Sequence, residues 1–107
     1  MKELIQRATA GTLESSDIYV EVEPVEAGAG LDLVVGSVVY AQFGQEIEKV
    51  IRDTLAELGV TDAKVRVSDR GAVDCTIRAR VEAAVRRGSN GGSADQDGAE
   101  KKGAMQS

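Results

Sequence analysis

Residues 17–23, "DIYVEVE", alternate without a break: Ile18, Val20 and Val22 project to one side, Tyr19, Glu21 and Glu23 to the other. A period of two predicts a strand with one buried and one solvated face. Pro24 ends it, because proline brings no N–H to a ladder. The following "VEAGAG" supplies glycines for a hairpin loop into a second strand, residues 31–35, with Leu31, Leu33 and Val35 on one face. Residues 63–68, "AKVRVS", predict a third strand, Val65 and Val67 inward and Lys64 and Arg66 outward.

Between the second and third strands the period changes. Phe43, Ile47, Val50, Ile51, Leu55 and Leu58 recur at steps of three and four, which predicts an amphipathic helix over residues 39–58. Glu48 and Arg52 form an acid-first i,i+4 pair on its other side. Gly59 then suits a left-handed residue just past the helix end, with Val60 as its apolar follower. After the turn "DRGA", "VDCTIRARVEAAVRR" satisfies both periods over residues 73–80. The four-residue step through Val73, Ile77, Val81 and Val85, and the Ala-, Arg- and Glu-rich end, favour a helix over residues 73–87. Cys75 then reads as a small hydrophobe near the core. The order is ββαβα: an α+β two-layer sandwich, with a small, mostly antiparallel sheet covered on one face by two helices.

Composition bounds what such a fold can do. The chain has 107 residues, and residues 88–107, "GSNGGSADQDGAEKKGAMQS", contain no Val, Ile, Leu or aromatic residue. That stretch cannot bury enough apolar surface to offset its ordering entropy, so it is expected to be a disordered tail behind one folded unit, residues 1–87. A domain of that size has a modest core and little room for a deep substrate cavity. Aromatic residues make up only 3%, so the core is aliphatic. A net charge of −5 opposes nucleic acid as a partner, and no apolar run reaches the length of a membrane span. A cytoplasmic protein is the simplest expectation.

The chain contains no histidine and one cysteine. Ser–His–Asp and Cys–His catalysis, His/Cys zinc sites and an internal disulfide are therefore excluded within it. What remains to explain is a pair of adjacent hydroxyls, Ser15 and Ser16, at the mouth of the first strand in "AGTLESSDIYVEVEP". A serine that serves as an anchor needs exposure on a segment beside a rigid element; a separate enzyme can bring the base. Arg78, Arg80, Arg86 and Arg87 could hold phosphate, although a solvated helix face is their simpler role.

"AGTLESSD", "QFG" and "DRGAVDCTIRARVEAAV" stand in an order and spacing that resembles the citrate lyase acyl carrier protein family, the gamma subunit of that complex. The resemblance covers nearly all of the folded part. It implies a noncatalytic acyl carrier domain. A phosphoribosyl dephospho-coenzyme A would hang through a phosphodiester from the serine of the "GTLES" segment. That serine maps to Ser15, with Ser16 as the second candidate because the family usually has glycine there. The implied arm carries acetyl and citryl thioesters while the alpha and beta subunits convert citrate to oxaloacetate and acetate. A prosthetic-group transferase installs the arm. Two other functions compete: a malonate decarboxylase-type acyl carrier subunit, whose arm is of the same kind, and a noncovalent α+β protein-interaction module in which the serines are ordinary loop residues.

Overall fold

The structure, a computed structural model, describes residues 3–89. They form β1 (Ala8–Gly11), β2 (Ile18–Glu23), β3 (Leu31–Ser37), α1 (Tyr40–Glu57), β4 (Ala63–Asp69) and α2 (Asp74–Ser89). The four strands make one sheet in the order β1-β2-β4-β3. β1 runs antiparallel to β2, and β2 antiparallel to β4, while β3 runs parallel to β4. The sheet is thus mostly antiparallel, and the two-layer α+β architecture stands. The order of elements is βββαβα rather than ββαβα.

Two features of the sheet differ from expectation. β1, "ATAG", carries no strand signal, because alanine and glycine are poor strand formers. It is recruited from outside: Ala8 pairs with Val22 and Ala10 with Val20. The second difference is the hairpin. β2 and β3 do run in opposite directions, but β4 lies between them and pairs with both. Its inward positions Ala63 and Val65 are fully buried and Val67 nearly so. Burial on this scale is worth about 1.5–3 kcal/mol for each larger aliphatic side chain. A central place for β4 therefore outweighs direct pairing of two strands adjacent in the chain. The loop between β2 and β3 spans the inserted strand, and its end is fastened to the start of β4. There Gly30 N–H donates to Asp62 Oδ1 at 2.8 Å and Ala63 N–H to the Gly30 carbonyl at 3.1 Å.

The core lies between the sheet and the helices. Ile18, Val20 and Val22 of β2 and Val65 of β4 meet Ile51 and Leu55 of α1 and Ile77, Val81 and Val85 of α2. α1 uses the stripe that its sequence displays, except at Phe43, which is 42% exposed near the helix start. At the other end the helix closes as its glycine demands. Gly59 adopts φ +80°, its N–H donates to the Ala56 carbonyl, and the Val60 N–H reaches the Leu55 carbonyl. This pair of bonds satisfies carbonyls that the helix end leaves open, and Val60 is buried beside it. The pair Lys49–Asp53, at 2.7 Å, staples its exposed side.

Residues 73–80 resolve as helix from Asp74. The four-residue step buries Ile77, Val81 and Val85, leaves Val73 63% exposed at the entrance, and places Cys75 outward. A small hydrophobe near the core is therefore not its role. The helix also runs past the expected boundary at residue 87. Gly88 is buried in its last turn, and its carbonyl accepts the Ile5 N–H at 2.9 Å and the Gln6 N–H at 3.2 Å. Both Gly88 and Ser89 thus belong to the ordered helix and not to a tail. The rest of the expected tail, residues 90–107, lies outside the described residues.

One buried acid organises the C-terminal end of the sheet. Asp69, 1% exposed, accepts from the Ser37 hydroxyl at 2.8 Å and from the backbone N–H groups of Gly71 and Ala72, both at 3.0 Å. The Ser37 hydroxyl in turn accepts the Val39 N–H at 3.0 Å, at the entrance to α1. Asp69 thereby joins the ends of β3 and β4 to the start of α1 and to the turn leading into α2. Removing it leaves three donors without their acceptor in a partly buried place, where an unsatisfied group costs up to about 1–3 kcal/mol. Asp69→Ala is expected to lower the unfolding free energy by about 3 kcal/mol in urea titration, with an unchanged m-value if the native fold persists.

Candidate functional site

The two serines sit on the loop between β1 and β2, beside the end of β4 that Asp69 organises. The loop begins at Gly11, whose φ of +92° brings its backbone against the neighbouring strand. A Cβ there would lie 1.8 Å from the Ile18 carbonyl oxygen, so no other residue fits. It ends at Asp17, and between them Glu14 to Asp17 form a tight turn in which the Asp17 N–H donates to the Glu14 carbonyl at 3.1 Å. Ser15 occupies the second position of this turn and Ser16 the third.

Ser16 has φ +67°, the one non-glycine residue in the left-handed region among the described residues. A turn with positive φ at its third position is the kind that favours glycine there. Serine stands here where the backbone favours a residue without a Cβ. Two bonds hold the conformation. Ser16 N–H donates to the Arg70 carbonyl at 2.8 Å, and the Arg70 N–H donates to the Asp17 carbonyl at 2.9 Å. They continue the β2–β4 ladder one step beyond Ile18 and Asp69, so the turn is an extension of the sheet rather than a free loop.

Asp17 is the second fastening. Its carboxylate is 13% exposed and receives four donors: the Thr12 hydroxyl at 2.6 Å, the Ile18 N–H at 2.7 Å, and Nε and a terminal nitrogen of Arg80, each at 3.0 Å. Partial burial alone pushes the carboxyl upward. The hydrogen bonds from Thr12, Arg80 and Ile18 outweigh it and hold Asp17 at about 2, against an ordinary 3.8. The two-pronged contact from α2 locks the root of the turn to the opposite end of the chain.

The loop therefore sorts its hydroxyls. Thr12 is committed twice, donating to Asp17 and accepting the Glu14 N–H at 3.2 Å. Ser15 and Ser16 are both exposed, and no hydrogen bond engages either hydroxyl among the described residues. Of the arginines considered for phosphate, Arg80 is spent on Asp17, Arg78 on Glu57, Arg86 on Glu82 at 3.7 Å, and Arg87 on the Thr9 carbonyl at 2.8 Å. Asp17 and Arg80 are 63 residues apart, and no local pattern pairs them. The acid before a strand and an arginine on a helix face carry no mutual signal until α2 is laid against β1 and β2.

Beside this loop, the turn after β4 and the starts of both helices enclose a shallow cleft of about 250 Å³. It is lined by Val39, Phe43, Ile47, Gly71 and Ala72, with Glu46 and Asp74 as its carboxylates. Val38 and Val73 are exposed at the same end of the fold. Among the described residues no helix is long and apolar enough to cross a membrane.

The lowered acidity of Asp17 ties the turn to pH. Because its folded value lies below the ordinary one, the stabilisation it gives, about 2 kcal/mol, is complete above the ordinary value and is lost as pH falls through 3.8 toward 2. Arg80→Gln is expected to lower the unfolding free energy by about 1–2 kcal/mol near neutral pH. The gap between that variant and the parent protein should narrow as the solution is taken down through 3.8 toward 2 and close only below that, once Asp17 is protonated in both. Denaturant titrations at a series of pH values measure it; a gap independent of pH would contradict the role given to the pair.

Residues 5–88 match the acyl carrier family described as "Malonate decarboxylase delta subunit (MdcD)". The citrate lyase acyl carrier protein of Rhodopseudomonas palustris is 52% identical over 84 residues, covering 78% of this chain and 84% of that one. Those of Klebsiella pneumoniae subsp. pneumoniae and Pectobacterium atrosepticum are 54% and 48% identical, covering 75% and 82% of this chain and 81% and 90% of theirs. Among solved structures, a chain of a Pseudomonas malonate decarboxylase hetero-tetramer in complex with malonate shares the fold, with a TM-score of 0.54 at 22% identity over 81% of this chain and 91% of that one. With about half of the aligned residues identical over three quarters or more of its length, the chain belongs to the citrate lyase acyl carrier protein family.

Proposed function

We propose that Ser15 is the anchor of a covalently attached phosphoribosyl dephospho-coenzyme A, and that the chain serves citrate lyase as its noncatalytic acyl carrier subunit. The partners in this proposal are the alpha and beta subunits and a prosthetic-group transferase, and the compartment is the cytoplasm. The observation that carries it is the sorting of hydroxyls on the loop from Gly11 to Asp17: Thr12 is bonded inward, while Ser15 stands exposed at the tip of a turn whose root is fixed by Asp17, Arg80 and Arg70.

The bonds on each side of Ser15 define what this chain contributes. Its hydroxyl attacks the phosphorus of the incoming group, which the transferase presents activated as a phosphoric anhydride. The new O–P bond forms as the anhydride P–O bond breaks and the phosphate leaving group departs, and the serine proton passes to a base of the transferase, since the chain has no histidine of its own. The network of Thr12, Asp17 and Arg80 keeps the turn from folding back over the hydroxyl. The bound group supplies a terminal thiol on which acyl thioesters are carried. Cys75 is exposed on α2 but is not needed for that chemistry. Tethering raises the local concentration of the acyl group at each partner's active site into the millimolar range, provided that the arm spans both.

Between the two serines, Ser16 is the poorer anchor. Its backbone is held at φ +67° with its N–H bonded to Arg70, so the modification would crowd a residue already in a restricted conformation. A malonate decarboxylase-type carrier is the second function, favoured by the description of the matching family and by the shared fold. Partner capture separates the two: citrate-lyase subunits on one side, decarboxylase subunits on the other.

Co-expression with a citrate-lyase prosthetic-group transferase, followed by intact mass and peptide mapping, tests the anchor. The parent protein should gain the mass of the group on the peptide containing Ser15. Ser15→Ala should gain none and should fail to restore activity to a complex lacking the carrier. Ser16→Gly should load fully and gain up to about 1 kcal/mol in stability from relief at the left-handed position. Full loading of Ser15→Ala would move the anchor to Ser16.

A further inference from the structure

We infer that Arg70 is the arginine that binds the ester phosphate on the anchoring serine, an inference that rests on the attachment at Ser15 proposed above. Any group joined through a phosphodiester at this turn places a negative charge between two carboxylates, Glu14 and Asp17. Asp17 is neutralised by Arg80, but that guanidinium already uses two nitrogens on it and is fixed there. The exposed Glu14 remains, on a chain whose net charge is −5. An added anion in that setting calls for a cation with a free hydrogen-bonding face.

Arg70 meets the requirement by position. Its backbone is clamped to the turn from both sides, accepting from the Ser16 N–H and donating to the Asp17 carbonyl. Its Cα is therefore held across the ladder from the serine pair, within the span of an arginine side chain. Arg70 is exposed, and among the described residues no carboxylate pairs with it. Arg78, Arg80, Arg86 and Arg87, the arginines of α2, are each committed elsewhere. An arginine also suits the task better than a lysine, because its planar fork can meet two phosphate oxygens at once. Held by the backbone but uncommitted at its tip, Arg70 gives the flexible arm a fixed first link.

The test uses the full-length protein in apo and transferase-loaded forms, with mass spectrometry first establishing that the group is on Ser15. In ¹⁵N-labelled protein, the Nε–H signal of Arg70 should shift downfield and exchange more slowly on loading. High salt should reverse part of that shift. The ³¹P signal of the serine phosphodiester should move in Arg70→Gln, move less in Arg70→Lys, and stay in place in the control Arg86→Gln. The amide spectrum of Arg70→Gln should otherwise match the parent, because both backbone bonds at this residue survive the change. A loaded protein in which neither the Arg70 Nε–H nor the ³¹P signal responds would overturn the inference while leaving the attachment intact. Slower loading of Arg70→Gln without any such response would assign Arg70 to docking the transferase instead. Absence of added mass on Ser15 would overturn the attachment, and the inference with it.

Discussion

The insertion of β4 between β2 and β3 is the constraint on which the rest of the molecule depends. From Lys64 to Asp69 this strand is paired on two sides, antiparallel to β2 and parallel to β3, and Ala63 pairs with β3 alone. A parallel pair requires a crossover, and α1 is that crossover, so the helix is fixed over the sheet by the topology as well as by its apolar stripe. The C-terminal end of β4 then becomes the place where separate parts of the chain converge. Asp69 collects Ser37 and the turn toward α2, and Arg70, one residue on, holds the serine turn. A turn built at the end of a central strand inherits the rigidity of the sheet even though its exposed hydroxyls are on a loop.

This explains a division of labour within a few residues. In the proposed function the hydroxyl of Ser15 has to be reachable by one enzyme during loading, and its attached group has to visit others afterwards. Mobility belongs to the arm, whereas the attachment point gains from staying still. The turn meets both demands by putting its bonds into its backbone and its root. Ser16 and Asp17 are joined to Arg70 through main-chain bonds, and the Asp17 carboxylate is saturated by Thr12, Ile18 and Arg80. The tip hydroxyls are left without partners among the described residues.

Much of the fold was legible because its signals are local. The alternation over Ile18, Val20 and Val22, the stripe through Ile47, Ile51 and Leu55, and Gly59 after the helix each specify one element, and each is found where its pattern puts it. What was not legible is relational. β1 has no pattern of its own and exists because β2 offers an edge; its small residues also let α2 lie close, with the Arg80 Cδ 3.3 Å from where a Cβ on Gly11 would be. The partner of β3 is decided by competition among strands, which a loop of suitable length cannot reveal. Phe43 fits the helical stripe yet stays exposed, because the apolar surface beneath the first turn ends at a cleft. In the site, the serine pair was visible from the motif, but its support by Arg80 and Arg70 required the strands to be in register.

The same relational logic bears on how a serine can stand at position 16. A residue with a Cβ in the left-handed region costs about 1 kcal/mol relative to glycine. The turn offsets this with the Ser16–Arg70 bond and the four bonds on Asp17, which together over-determine the backbone at that point. The second hydroxyl is then tolerated and not required: it is exposed and bonds to nothing among the described residues. Adjacent serines in a sequence look equivalent. In the fold they are not, because one sits at the unrestrained second position of the turn and the other is held, by its own amide, against the end of the central strand.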